Sequence, residues 1–291
     1  MFGFFKKKEE KQEPAPAAVG EEYGEELKTL GAKFRPEEMS ILAVTGANGF
    51  GGRRVREDGP WIATLELTAW KEEDGEEPAR REKALLVALA GDKLLAYLRR
   101  RAMPDSIIQV TVRPSEDRTS FLMTELPQPV MDPELKAILD QQKQPVSFWE
   151  QGLGTFTLNR SVGWFEAEAD WLGQPVRLDF DKDEDRADCL AHFHALMEGQ
   201  QEWDQRVRAF AAEQLLELAN DWEQDSAGNE EREPEEITAE QFMERMELDA
   251  VQIYGDGAFE FWFNDGDLFW GHAIHVTGSL DRGPEKAQME G

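Results

Sequence analysis

His272 follows Asp265 and Asp267 closely, at the end of the run Phe259-Glu260-Phe261-Trp262-Phe263-Asn264-Asp265-Gly266-Asp267-Leu268-Phe269-Trp270-Gly271-His272. An imidazole beside a carboxylate is the smallest acid–base pair, because the carboxylate orients the ring and the ring exchanges a proton near neutral pH. His272 with Asp265 or Asp267 is thus the candidate catalytic pair, of hydrolase type. A hydrogen-bonded structural histidine needs the same residues. His275 lies an odd number of residues beyond His272, so on a regular strand the two point to opposite faces and share no metal. The same run holds the densest aromatic cluster of the chain. Trp262, Phe269 and Trp270, with Glu260 among them, are the candidate partner-binding residues, since aromatic side chains dominate interface hot spots.

Other chemistry-bearing clusters fail on spacing. Asp188, Cys189 and His192 share a helix face, but His194 points away, leaving too few ligands for zinc. A Cys189–His192 nucleophile is weighed against a buried structural cysteine, and the apolar helix favours the latter. Asp181, Asp183 and Asp185 have the opening spacing of a calcium loop. That loop requires Gly and Glu where Arg186 and His192 stand, so these acids read as the start of a helix. The run Ile41-Leu42-Ala43-Val44-Thr45-Gly46-Ala47-Asn48-Gly49-Phe50-Gly51-Gly52 imitates a dinucleotide-binding loop. Such a loop must open a helix that holds the pyrophosphate. Here only Val55 is apolar between Gly52 and Gly59-Pro60, and a period-two run from Trp61 to Trp70 follows. None of Tyr23, Tyr97 and Tyr254 has Lys four residues on, as the dehydrogenases with similar glycines require. Gly46, Gly49 and Gly52 therefore read as a loop between strands, and no cofactor or metal is expected.

The elements that position these residues form two groups. Residues 1–39 read as a tail of Lys, Glu, Pro and Ala with a short helix near Tyr23 to Leu30. Residues 40–128 read as a small β-rich, open-barrel-like domain. Its strands are Ile41–Thr45, Trp61–Lys71, Ala84–Leu89, Ile107–Arg113 and Ser120–Leu126, around a helix Asp92–Arg101. An oligonucleotide-binding-like barrel is one candidate shape. Residues 129–150 read as a helical linker, capped by Asp132 and opened by Pro133. Residues 151–291 read as an antiparallel sheet packed against helices. Strands Thr155–Asn159, Trp164–Trp171 and Val176–Phe180 precede helices near Asp183–Glu198 and Glu202–Trp222. An acidic mobile loop Asp225–Glu236 and a helix opened by the Thr238–Gln241 capping box follow. A three-stranded meander, Ala250–Tyr254, Ala258–Asn264 and Leu268–Val276, closes the chain. The fold class is α+β.

Composition bounds the function. The 291 residues are 40% hydrophobic and 10% aromatic with nine tryptophans, enough for real cores. The net charge of −28 disfavours nucleic-acid backbones, which require Lys and Arg. It permits a basic protein partner. The single cysteine excludes an internal disulfide and suits a cytoplasmic location. No run is long enough for an integral membrane segment. Phe2, Phe4 and Phe5 precede Lys6-Lys7-Lys8, the reverse of a secretory signal, and read as a frayed terminus.

The stretch from Asp256 to Gly278, DGAFEFWFNDGDLFWGHAIHVTG, resembles the C-terminal signature of an uncharacterised bacterial family, Domain of Unknown Function 2262. Leu153 to Leu178 and Leu215 to Trp222 are similar to the same family, and Phe269 to His272 is the most specific piece. Ser40 to Leu126 looks like the extra domain that often precedes it. The resemblance implies architecture rather than an activity. In outline it is similar to small immunity domains of bacterial toxin systems, which bind their toxins and are often acidic. The leading expectation is a non-catalytic module that sequesters a basic partner; the alternative is the His272 hydrolase.

Overall fold

The computed structural model describes residues 23–229 and 235–291. The first part of the expected tail, with Phe2, Phe4 and Phe5, lies outside these, as do residues 230–234 of the expected acidic loop. The chain divides into two compact units, Met1–Gln144 and Pro145–Gly291.

In the first unit, helix α1 (Gly24–Gly31) leads to β1 (Met39–Thr45), β2 (Gly51–Arg54), β3 (Trp61–Glu72) and β4 (Ala84–Ala90). Helix α2 (Asp92–Arg101), β5 (Ile107–Pro114), β6 (Ser120–Met123), β7 (Gln128–Pro129) and helix α3 (Pro133–Gln142) follow. Neighbouring strands run β1-β3-β4-β6-β5, and β5 pairs back onto β1, so five strands close into a barrel. Only the β4–β6 step of that circuit is parallel. This order, with a helix between the third and fourth barrel strands, is that of the oligonucleotide-binding barrel. The expected small β-rich barrel is present, its circuit completed by the β1–β5 pairing. Period-two burial along β3 sends Ala63, Leu65 and Leu67 inward, with Leu86, Val110 and Phe121 from its neighbours. Leu94, Leu95 and Leu98 of α2 join this core.

Strand β1 is buried on both faces from Ile41 onward. Its second face is covered by Leu135, Ile138 and Leu139 of α3, against Leu42, Val44, Ala69 and Ile107. The helix expected as a linker is thus part of the barrel unit. Asp132 caps it by accepting from the Leu135 amide, and Lys71 reaches Asp132 at 2.7 Å and Glu134 at 3.1 Å. The short helix expected near Tyr23 to Leu30 is α1, and the tail expected through residue 39 gives way after it to Phe34, which is buried against Val87 and Leu122. In the glycine run, Gly51 and Gly52 belong to β2 and pair with Thr64 and Ala63 of β3. The run therefore opens no helix.

In the second unit, β8 (Ser147–Glu150), β9 (Gly154–Asn159), β10 (Trp164–Trp171) and β11 (Gln174–Asp181) form successive hairpins. Three helices follow: α4 (Arg186–Glu198), α5 (Gln200–Asn229) and α6 (Ala239–Arg245). Strands β12 (Glu247–Ile253), β13 (Ala258–Asn264), β14 (Ala273–Ser279) and β15 (Gly283–Glu290) complete one eight-stranded sheet in the order β15-β14-β13-β12-β11-β10-β9-β8. The sheet is antiparallel except at β11–β12. The three helices form the crossover there, returning the chain to the same end of the sheet and making that pair parallel. Three expectations change. The closing meander has four strands, its third strand starts at Ala273, and α5 continues through Asn229 into the segment expected to be a loop.

The helices cover one sheet face. Phe156, Leu178, Phe180, Val251, Phe259, Phe261, Phe263 and Val276 meet Phe193, Val207, Ala211, Leu215 and Phe242 in one core. Each fully buried Phe contributes about 1.5–3 kcal/mol of transfer free energy. Alternation then fixes the other face: Glu260 and Trp262 on β13 and His275 on β14 point away from the helices.

Candidate functional site

The loop between β13 and β14 is organised by one buried carboxylate. Asp265 accepts from the Phe269 amide at 2.6 Å and the Gly271 amide at 3.1 Å through Oδ2, and from the Asp267 amide at 3.2 Å through Oδ1. The chain curls tightly enough that Gly266, Asp267, Trp270 and Gly271 all have positive φ. At Gly266 a Cβ would lie 2.2 Å from the Arg245 carbonyl oxygen, so only glycine fits. This curl drops Phe269 into the core and lifts Trp270 out of it. Phe269 is 0% exposed and Trp270 is 59% exposed. Trp222 of α5 is the hub beneath them, with ring centroids 5.8 Å from Phe269, 4.6 Å from Trp270 and 5.6 Å from the His272 ring. A tryptophan in the left-handed region costs about 1–2 kcal/mol, and here the loop holds that conformation with the indole in solvent. A concavity of about 410 Å³ adjoins it, lined by Glu223, Arg245, Asp267, Leu268 and Trp270 among others.

The candidate catalytic residues are placed otherwise than an acid–base pair requires. Asp265 commits its oxygens to backbone amides, and no hydrogen bond among the described residues joins His272 to Asp265 or Asp267. His272 is not among the residues lining the adjoining concavity. The partner-binding candidates separate too. Phe269 is a core residue and offers no surface. Trp270 is at the loop, while Glu260 and Trp262 lie on the polar face of the sheet.

On that face the structure builds a histidine–carboxylate pair that the sequence spacing did not indicate. His275 Nε2 donates to Glu260 Oε2 at 2.9 Å. Glu260 also accepts from the Tyr254 hydroxyl at 2.8 Å and the Trp262 indole N–H at 3.2 Å. The Trp262 ring stacks on His275 at 3.8 Å. Two strands away, Asp179 is 1% exposed and accepts from Arg177 Nε at 3.0 Å. Burial pushes its carboxyl up to about 6 against the pull of Arg177, with Glu166 and Glu260 adding to the rise. Burial and the bond to Glu260 likewise raise the Tyr254 hydroxyl. Glu260 and Trp262 alternate along the sequence, and so does His275 on its own strand. What unites them is the β13–β14 register, Trp262 opposite His275, which no local spacing reveals.

The helix cluster is structural. Cys189 is 0% exposed and burial pushes its thiol up to about 12, with Glu184, Asp185 and Asp188 adding to the effect. His192 Nδ1 sits 3.2 Å from the Tyr254 carbonyl oxygen and His194 Nε2 3.0 Å from Glu150 Oε1. Asp185 caps α4 through the Ala187 and Asp188 amides. Among the described residues no group of three His, Cys, Asp or Glu side chains is placed to hold a metal.

Charge is unevenly shared. Residues 145–291 hold 34 acidic and 10 basic residues, whereas residues 23–144 hold 21 and 18. Among the described residues no helix is long and apolar enough to cross a membrane.

Together these features define an α+β protein made of a five-stranded barrel and a helix-covered mixed sheet with a displayed aromatic loop. Residues 150–289 match the family model described as an uncharacterized protein conserved in bacteria, DUF2262. The C-terminal part of the chain is a domain of that family. It is preceded by a separate domain of unknown function, DUF7021, over residues 26–142. Searches of the curated proteins and of the solved structures find no match.

Proposed function

We propose that the chain is a non-catalytic protein-binding module that sequesters a basic partner through its C-terminal unit. The observation that carries this reading is Trp270, an exposed indole held in a disfavoured backbone conformation by a loop anchored on Asp265. Local strain of this kind persists only where the surroundings enforce it, and it clusters at functional positions. A rigid indole beside a concavity is the usual form of an interface anchor. The acidic excess of residues 145–291 supplies the long-range attraction that steers a basic protein.

The test is affinity capture by the full chain from a bacterial extract, washed at rising salt, with Trp270→Ala and His272→Ala beside the natural sequence. The reading expects a basic protein that is released as salt rises, is lost with W270A and is retained with H272A. A captured protein indifferent to W270A, or no basic protein retained even at low salt, overturns it. Retention by H272A also separates binding from acid–base chemistry at His272.

A further inference from the structure

The polar face of the eight-stranded sheet carries two rows of aligned side chains. In the first, Glu166 pairs with Asp179, Asp179 with Gln252, Gln252 with Glu260 and Glu260 with Thr277. In the second, Arg177 pairs with Ala250, Ala250 with Trp262, Trp262 with His275 and His275 with Gln288. Among the described residues, two buried atoms on this face have no hydrogen-bond partner: Asp179 Oδ1 and His275 Nδ1. Both are acceptors. Asp179 is 1% exposed and His275 8% exposed. For His275 the tautomer follows from its neighbour. Glu260 already accepts from the Tyr254 hydroxyl and the Trp262 indole N–H, and an ionised carboxylate has no proton to give. The ring therefore carries a proton on Nε2, and the neutral imidazole presents its lone pair at Nδ1. The nearest charged oxygen to that lone pair, Glu290 Oε1, is another acceptor, 3.9 Å away.

Buried acceptors call for donors, and the surrounding charge selects the kind. Glu166 stands opposite Asp179, Glu168 opposite Arg177, Glu260 and Glu290 flank His275 and Asp249 approaches Arg177, against the cations Arg177 and, on β15, Lys286. Arg177 meets Asp179 through Nε alone, its side chain is 47% exposed, and its Nη2 lies 3.6 Å from Asp249, toward which it can turn. Between the two orphans the Trp262 ring, stacked on His275 and held by Glu260, offers a fixed plate suited to a cation. A guanidinium suits such positions better than an ammonium, being flat, fork-shaped and more weakly hydrated.

We propose that this sheet face binds an extended segment of the basic partner through two arginines, one donating to Asp179 beside Glu166 and one donating to His275 Nδ1 and Glu290. Asp179 on β11 and His275 on β14 are three strand spacings and one pleat apart, about 16 Å. An extended chain advances about 3.3 Å per residue and returns to the same side only at even spacings, so two arginines four positions apart, about 13 Å, face the sheet together and their long side chains span the remaining distance. This inference rests on the reading that the chain binds a basic protein, but it uses a surface other than the Trp270 loop.

The experiment titrates the full chain with a Ser/Thr peptide bearing arginines four positions apart, followed by calorimetry. The same peptide with citrulline at both positions keeps the shape and removes the charge. The expected result is binding at least about tenfold weaker for the citrulline peptide. A comparable loss is expected for the arginine peptide against Asp179→Asn, and when the second arginine moves by one position. The citrulline comparison uses the natural sequence, so it stands whether or not D179N folds. Equal binding of the two peptides, or no binding of either at millimolar concentration, overturns the proposal. A protein captured through Trp270 but indifferent to D179N overturns this surface and leaves the binding module standing. Tight arginine-peptide binding with a capture that ignores W270A does the reverse.

Discussion

Asp179 is a short carboxylate at the centre of a sheet, set among longer side chains, and its burial has a thermodynamic consequence. Its carboxyl is pushed up to about 6 from an ordinary 3.8. The folded protein therefore holds a proton that the unfolded chain releases between those values. Stability from this group is complete below about pH 4 and is lost as pH rises through about 6, which is the sign for a raised pKa. Two pKa units correspond to roughly 3 kcal/mol, reduced in a variant because Arg177 loses its partner. Asp179→Asn should accordingly be more stable than the natural sequence by about 1–3 kcal/mol at pH 7.5, and the gain should shrink toward zero at pH 4. Urea unfolding at both pH values measures it, and a difference independent of pH would refute the assignment. The unpaired Asp179 oxygen is thus costly at neutral pH, and a donor brought by a partner would lower that cost. Cys189, equally buried, has its thiol pushed up by the same cause, to about 12, and is therefore chemically quiet.

The loop between β13 and β14 behaves as one element because Asp265 gathers three of its amides. Removing the carboxylate leaves those N–H groups without their acceptor, and charge-assisted bonds to buried groups are the expensive ones to lose. Asp265→Ala should destabilise the protein by about 2–4 kcal/mol and speed exchange of the Phe269 amide. Asp267→Asn, at an exposed position whose left-handed backbone Asn tolerates, should change stability by less than about 0.5 kcal/mol. Similar losses for both variants would mean that the loop is not held through Asp265. The sequence did not disclose this loop, because apolar residues from Leu268 onward imitate a strand and Asp-Gly imitates a tight hairpin. Elements with strong local chemistry were legible: the alternation of β3, the Asp132 cap and Pro133 of α3, the Thr238–Gln241 capping box of α6. Gly51–Arg54 and Gly283–Glu290 were not legible as strands, since the first is exposed throughout and the second sets only Ala287 and Met289 against the core, too few apolar residues to mark a strand. The closing of the barrel through β1 and β5, and the meeting of His275 with Glu260, depend on register between segments distant in sequence. No local pattern encodes that.

At the scale of the whole molecule the dominant fact is charge. Residues 145–291 carry 34 acidic against 10 basic residues, and a unit so far from neutrality repels itself when folded. Salt screens that repulsion over about 8–10 Å at moderate ionic strength, so added sodium chloride should stabilise the fold. Seven of the nine tryptophans lie in the same residues, so tryptophan fluorescence reports mainly on this unit. Raising sodium chloride from about 20 mM to about 0.5 M should lift its thermal midpoint by roughly 2–4 °C. Chloride is the right probe because sulfate would stabilise any protein by exclusion from its surface. An unchanged or falling midpoint would show that ion pairs such as Arg208–Asp204 and Arg177–Asp179 outweigh the repulsion. The sign also protects the binding test. Salt that releases a basic partner by screening attraction at the same time strengthens the fold, so loss of the partner at high salt cannot be an effect of unfolding.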